Sequence, residues 1–423
     1  MTEDLLHFIW KYKLLKPVDL YTTAQDRLLI TKTGEHNTDA GPDFTDARIK
    51  LADTEWAGTV EIHKKSSDWF LHNHHTNHAY DNVILHVVYE HDKDIYNSKQ
   101  QIIPCLQLKD ILVEDVIESY ESLYQNKQVI PCGKLLQPVP DIVKEPWLER
   151  MLIDRLETKT DFIKEIYTFT KHNWEETFYI LLFKNFGFHV NSDAFLQVAK
   201  SLPLTVLLKH ANSGMQVEAL LFGQSGLLHE NFKDSYGQTL LKEYNYLKHK
   251  YSLTSIPHQL KFLRLRPQNF PTIRIAQLAN FVTKYQHTCS KLLEAKSVDE
   301  VKKLFAIQVS AYWKTHYTFD EASILKEKSF GNLSVENIII NTACPLLFFY
   351  GKTKQEESLV DKALGWYDAL KPEKNNITKL FEELSFKPKH AGHSQALLQL
   401  NSSYCSKKKC LQCGIGVHIL RKK

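Results

Sequence analysis

Ten residues, Trp56 to Lys65 (WAGTVEIHKK), restrict this chain more than any others. A period of two puts Thr59, Glu61, His63 and Lys65 on one face and Val60 and Ile62 on the other. That pattern predicts a strand whose apolar face packs and whose polar face lines a cleft. Just upstream, Ala40-Gly41-Pro42-Asp43 is turn chemistry, so Asp43 enters the next predicted strand, Phe44 to Leu51, from a tight bend. An acid at a strand mouth beside an acid on the neighbouring strand is a way to hold a hard divalent cation.

The surrounding pattern builds an α/β core. Glu3 to Leu15 has apolar residues at helical spacing and acids at its start, where the helix dipole favours them. Strands are predicted at Arg27 to Thr33, Phe44 to Leu51, Trp56 to Lys65, Val83 to Tyr89 and Gln101 to Leu108, and a helix at Val113 to Tyr124. Seven of the chain's 20 histidines fall between His63 and His91. Histidine is the usual acid–base residue near neutral pH and a common metal ligand. The segment His72 to His78 (HNHHTNH) is polar, and His74, His75 and His78 read as solvating an exposed loop. His63 and His86 lie in strands, and His63 shares the face of Glu61. Asp39 and Asp46 read as turn residues.

Two resemblances start from these residues. His36 to Phe44 (HNTDAGPDF), Val60 to Trp69 (VEIHKKSSDW) and Ala79 to Val88 (AYDNVILHVV) look like the signatures of an uncharacterised bacterial domain-of-unknown-function family, over nearly the whole chain. More remotely, Pro42-Asp43 followed by Glu61 on the next strand is similar to the PD-(D/E)XK nucleases, over roughly the first 130 residues. That likeness implies a restriction-endonuclease-like fold with Asp43 and Glu61 as ligands of Mg²⁺ or Mn²⁺. In the nucleases a lysine stands two positions after the second acid; here that position is His63, with Lys65 on the same predicted face.

From residue 142 to about 403 the pattern turns helical and predicts an all-α region, after a linker at 131–141 where three prolines and a glycine cluster around Ile130 to Asp141. Within it, Arg264, Arg266 and Arg274 surround two prolines before a helix predicted to open near Thr272, a phosphate cradle for nucleic acid or a set of ion pairs pinning a loop. Leu220 to Leu227 has one Gly-x-x-Gly without the Gly-Lys-Ser/Thr of a nucleotide loop, so no nucleotide cofactor is expected.

Residues 404–423 form a cysteine cluster and basic tail. Cys405, Cys410 and Cys413 have the spacing of thiolates that converge on zinc or an iron–sulfur cluster. A fourth ligand is needed, and both His418 and the distant Cys132 qualify. Cys105, Cys289 and Cys344 read as core residues.

The apolar runs are shorter than the roughly 20 residues that span a bilayer, and the N-terminus is acidic where a signal peptide is basic. No membrane association and a cytoplasmic address are therefore expected. The net charge of +4 is too small to imply nucleic acid by itself. Two functions remain. One is a metal-dependent nuclease acting on DNA ahead of RNA, with Asp43 and Glu61 on the ion and His63 or Lys65 orienting or deprotonating water. The other is a non-catalytic nucleic-acid-binding or assembly protein on a nuclease-like scaffold. A metal hydrolase using His36, Asp39, Glu61 and His63 is a third, weaker reading. The oligomeric state is open.

Overall fold

A computed structural model describes residues 1–254 and 260–422, so Lys423 of the basic tail lies outside the described residues. The chain divides into two compact units. The first comprises Met1–Trp147, Glu383–Phe386 and Leu400–Lys423, and the second Leu148–Glu382 and Lys387–Gln399. The stretch read as a linker, 131–141, and the cysteine segment after residue 404 both belong to the first unit.

The first unit is built on a seven-stranded mixed sheet. Its elements are α1 (Glu3–Lys11), β1 (Leu20–Tyr21), β2 (Arg27–Lys32), β3 (Glu35–His36), β4 (Phe44–Leu51), β5 (Thr54–Lys65), α2 (Asp68–Leu71), β6 (Val83–Glu90), β7 (Cys105–Gln107) and α3 (Glu114–Gln125). The strand order is β1-β2-β4-β5-β6-β7, with β3 pairing to β4. β2, β4 and β5 are mutually antiparallel, whereas β6 runs parallel to β5 and β7 parallel to β6. A parallel neighbour requires a crossover connection. Here it is α2 and the two 3₁₀ turns that contain the histidine-rich segment.

α1 starts where Thr2 caps it, its hydroxyl accepting from the Leu5 N–H at 3.3 Å. Its buried face, Leu5, Leu6, Phe8, Ile9 and Trp10, is the amphipathic stripe legible in the sequence. The helix ends at Lys11 rather than Leu15, because Lys13 takes a left-handed φ of 50°. β6 is buried on both faces from Val83 to Val88, which explains its nearly unbroken apolar run. β7 covers only Cys105–Gln107 of the predicted Gln101 to Leu108, since Pro104 has no N–H to give to a ladder.

The polar face of β5 is not an open cleft. Glu61 and His63 are 5% and 2% exposed, because Trp69 and Tyr80 of the crossover close over that side as part of a small apolar cluster.

The second unit is largely helical, with the predicted Trp174–Phe186 helix observed at those bounds. It is not purely α. His316–Thr318 and Glu321–Ala322 pair as an antiparallel ribbon, turned by Asp320 at φ 61°. Residues Asn332–Lys354 form one continuous helical run whose length and apolarity alone suffice to cross a membrane; 61% of its most apolar window is buried inside the protein, as in a core helix.

Candidate metal centre

The sheet register brings the two acids together. Phe44 pairs with Val60, so Asp43, one residue earlier on an antiparallel strand, stands opposite Glu61. The pairing is locked reciprocally: the Asp43 N–H donates to Glu61 Oε2 at 3.1 Å, and the Ile62 N–H donates to Asp43 Oδ2 at 2.8 Å. From α1, which packs on β5, His7 reaches Asp43 with Nε2 3.2 Å from Oδ2.

Four imidazoles complete the centre. The parallel register places His86 beside Glu61; His63 Nδ1 lies 2.8 Å from His86 Nε2, and His63 Nε2 lies 3.0 Å from His72 Nδ1. Glu61 Oε1 is 3.6 Å from His63 Nε2 and 3.2 Å from His74 Nε2. One nitrogen each from His63, His72 and His74 falls within 4.8 Å of the others. Ligands about 2.0–2.1 Å from one tetrahedral ion are separated by about 3.3 Å. The separations of 3.0 to 3.6 Å around Glu61 Oε1 and His63 Nε2 bracket that value.

His74 Nε2 sits 3.2 Å from Glu61 Oε1, and its buried Nδ1 has no hydrogen-bond partner.

The electrostatics agree. Burial holds the Glu61 carboxyl above its ordinary range, with the neighbouring Asp43 charge adding to it against the pull of His74 and the Asp43 N–H. Burial also pushes His63 down to about 4, helped by His72 and His74. His86 goes well below its usual value for the same reason, with His63 next. At neutral pH these two rings are uncharged, so each has one unprotonated nitrogen. Burial raises Asp43, but His7 and the Ile62 N–H outweigh it, so the carboxyl titrates low. His7 is raised by Asp43 in spite of its burial. The Glu61 carboxyl thus sits desolvated beside uncharged His63 and His86.

The structure gathers Asp43, Glu61 and His63 with His72 and His74, neither of which the sequence pattern singles out as a ligand. His74 is 8% exposed and stacks on Tyr80 with ring centroids 3.8 Å apart, so the solvated-loop reading fails for it. The overlooked signal was the pair of aromatics, Trp69 and Tyr80, flanking the segment. Lys65 has an exposed side chain, and its N–H donates to Asp68 Oδ2 at 3.0 Å. His36 packs against His7 and Phe44, and Asp39 stays exposed in its turn.

In the helical unit Arg264 and Arg266 are exposed, while Arg274 is buried between the rings of Phe188 and Phe330. Its guanidinium donates to Gln277, Asn269 and Ser334. The three arginines therefore do not form one exposed cradle. Cys132, Cys405, Cys410 and Cys413 are all buried in the first unit. His418 lines a separate hollow with Glu118, Ser119, Ser122 and Val139.

Residues 3–376 match a family described as a protein of unknown function, DUF2851. No curated protein and no solved structure matches the chain.

Proposed function

The chain belongs to the DUF2851 family, and we propose that its N-terminal unit is a metal-dependent hydrolase of phosphodiester bonds in nucleic acid. One observation carries this reading: Asp43 and Glu61 meet across the β4–β5 register, with His63 and His74 beside Glu61 and His72 against His63. The order α1, antiparallel β2-β4-β5, α2 and a parallel β6 supports it, being the order expected of a restriction-endonuclease-like core. Fold alone does not establish activity.

His63, His72 and His74 would hold the ion and leave a position open, with the Glu61 carboxylate, 3.2 Å from His74 Nε2, as its counter-charge. Imidazole donors favour Mn²⁺ or Zn²⁺ over the Mg²⁺ suggested by the acids alone. When bound, the ion supplies Lewis acidity toward a phosphoryl oxygen and lowers the pKa of water. Asp43, ionised and held by the Ile62 N–H, is the proton acceptor in this scheme, and His7 behind it stabilises its charge. Lys65, exposed at the end of β5, would meet the substrate backbone electrostatically.

A second reading draws on a specific observation. Glu61 and His63 are almost fully buried, as in the closed sites of structural metals, which favours a non-catalytic nucleic-acid-binding or assembly protein.

Cleavage of labelled single- and double-stranded DNA and RNA, by protein loaded with Mn²⁺, Zn²⁺ or Mg²⁺, separates the two. The hydrolase reading expects cleavage that disappears in folded Asp43→Asn and Glu61→Gln variants. Metal-loaded wild type that cuts none of these substrates, or cleavage that survives both substitutions, overturns it.

A further inference from the structure

In the second unit, the helix Asp141–Phe169 carries two half-buried cations one turn apart, Arg155 and Lys159. Like charges at this spacing repel. Among the described residues neither makes an ion pair. Lys159 Nζ donates instead to two amide oxygens, Asn341 Oδ1 at 3.0 Å and Gln395 Oε1 at 2.7 Å. Arg155 Nε makes one long hydrogen bond, 3.4 Å, to the same Gln395 oxygen. Its two terminal nitrogens take no partner among the described residues, so the planar fork that grips an oxyanion through paired N–H groups is unused.

The two amides are held in this orientation from behind. The Asn341 NH₂ donates to the Asn337 carbonyl at 3.0 Å, and the Asn341 backbone carbonyl accepts from Asn185 Nδ2 at 3.2 Å. Asn341 lies in the π-helical turn Ile339–Ala343, a rare geometry that recurs at functional sites. Gln395, on the helix Ala391–Leu400 and 1% exposed, gives its NH₂ to Glu373, so its oxygen faces the cations. Glu373 also accepts from Asn337 Nδ2 at 3.3 Å. That acid is therefore taken up by two neutral amides.

Desolvation weighs on both cations. Burial pushes Lys159 down to about 7, with the Arg155 charge next and Lys184 adding to it, against Glu373 and Cys344. Burial also disfavours the charge on Arg155, against Tyr367 and Glu373. A desolvated cation without a counter-charge is costly, and an anion bound by the two side chains supplies one to both. We propose that Arg155 and Lys159 bind a phosphate group, with Asn341 and Gln395 positioning the lysine. A dianion matches the two charges once Lys159 is protonated, whereas a carboxylate leaves one uncompensated. The site lies in the second unit and is independent of the proposed hydrolase activity.

The test is titration calorimetry on the full chain, stripped of metal and dialysed so that no ion at the other site can hold the anion. The ligands are inorganic phosphate, glycerol phosphate, sulfate and acetate. The dianions are expected to bind and acetate is not. Binding should weaken by at least roughly 10-fold in Arg155→Gln and in Lys159→Met, and persist in Arg266→Gln. Tighter binding of glycerol phosphate assigns the site to a phosphomonoester, and tighter binding of inorganic phosphate to the free ion. Wild type alone decides the matter if a variant misfolds. Sulfate does not titrate near neutral pH, so at about pH 8 its binding should take up as much as about 0.9 proton, as Lys159 regains its charge. The count is read from heats in buffers of different ionisation enthalpy. No binding of phosphate or sulfate, equal binding of acetate, sulfate binding without proton uptake, or unchanged phosphate affinity in both folded variants overturns the proposal.

Discussion

Glu61→Gln changes a charge at the metal centre and little else. The amide oxygen still accepts from the Asp43 N–H, and the amide NH₂ faces His74 Nε2, which lies 3.2 Å from the present Oε1. Metal-free protein loses a desolvated buried carboxylate, so the variant should melt at or above the wild-type temperature at neutral pH. With ion at 100 times its Kd, wild type gains about 2.7 kcal/mol, a rise of roughly 5–11 °C for a unit of this size. Loss of the adjacent counter-charge weakens affinity by roughly 100-fold, about 2.7 kcal/mol. The same ion concentration then equals the Kd, and the gain shrinks to about 0.4 kcal/mol, about 1 °C. Scanning calorimetry on chelator-treated protein, with and without Mn²⁺ or Zn²⁺, reads both signs in one experiment. An equal metal-induced rise in the two proteins removes Glu61 from the centre, and a metal-free variant several degrees less stable than wild type makes its role structural.

His86→Ala should weaken metal binding 10–100-fold in titration calorimetry, because the ring that orients His63 through a 2.8 Å contact is gone; unchanged affinity would detach His86 from the site. In the helical unit, burial lifts Glu218 to about 6 against the hydrogen bond from Tyr236. Its folded pKa lies above the unfolded value of 4.5, so its stabilisation is complete below pH 4.5 and lost as pH rises through about 6, roughly 2 kcal/mol in all. Glu218→Gln should flatten that part of the urea-midpoint profile, and an unchanged pH slope counts against the assignment. Gly223→Ala improves helix propensity by about 1 kcal/mol, but its Cβ would lie 2.1 Å from the Tyr244 ring, whose hydroxyl is tied to Gln224. The clash should win by about 1–3 kcal/mol in denaturant melts, and a stabilised variant would show that the ring yields.

The alternation in Trp56 to Lys65 was enough to put Glu61 and His63 on one face, and the turn before Phe44 was enough to set Asp43 at a strand mouth. Periodicity is a local property, so strand faces can be read without knowing what they pack against. The fate of the histidine-rich crossover could not be read the same way. HNHHTNH is as polar as any solvated loop, and only the burial of Trp69 and Tyr80 against Val83, Ile95 and Ile103 turns His74 inward.

What the sequence by itself determined is therefore the order of strands, their faces and the acids on them, because each follows from residue spacing within a few positions. The tertiary structure decided which distant groups complete the chemistry. His7 arrives from a helix, and His72 and His74 from a crossover. Such pairings depend on how sheet register and chain path bring remote segments together, and no local pattern encodes that.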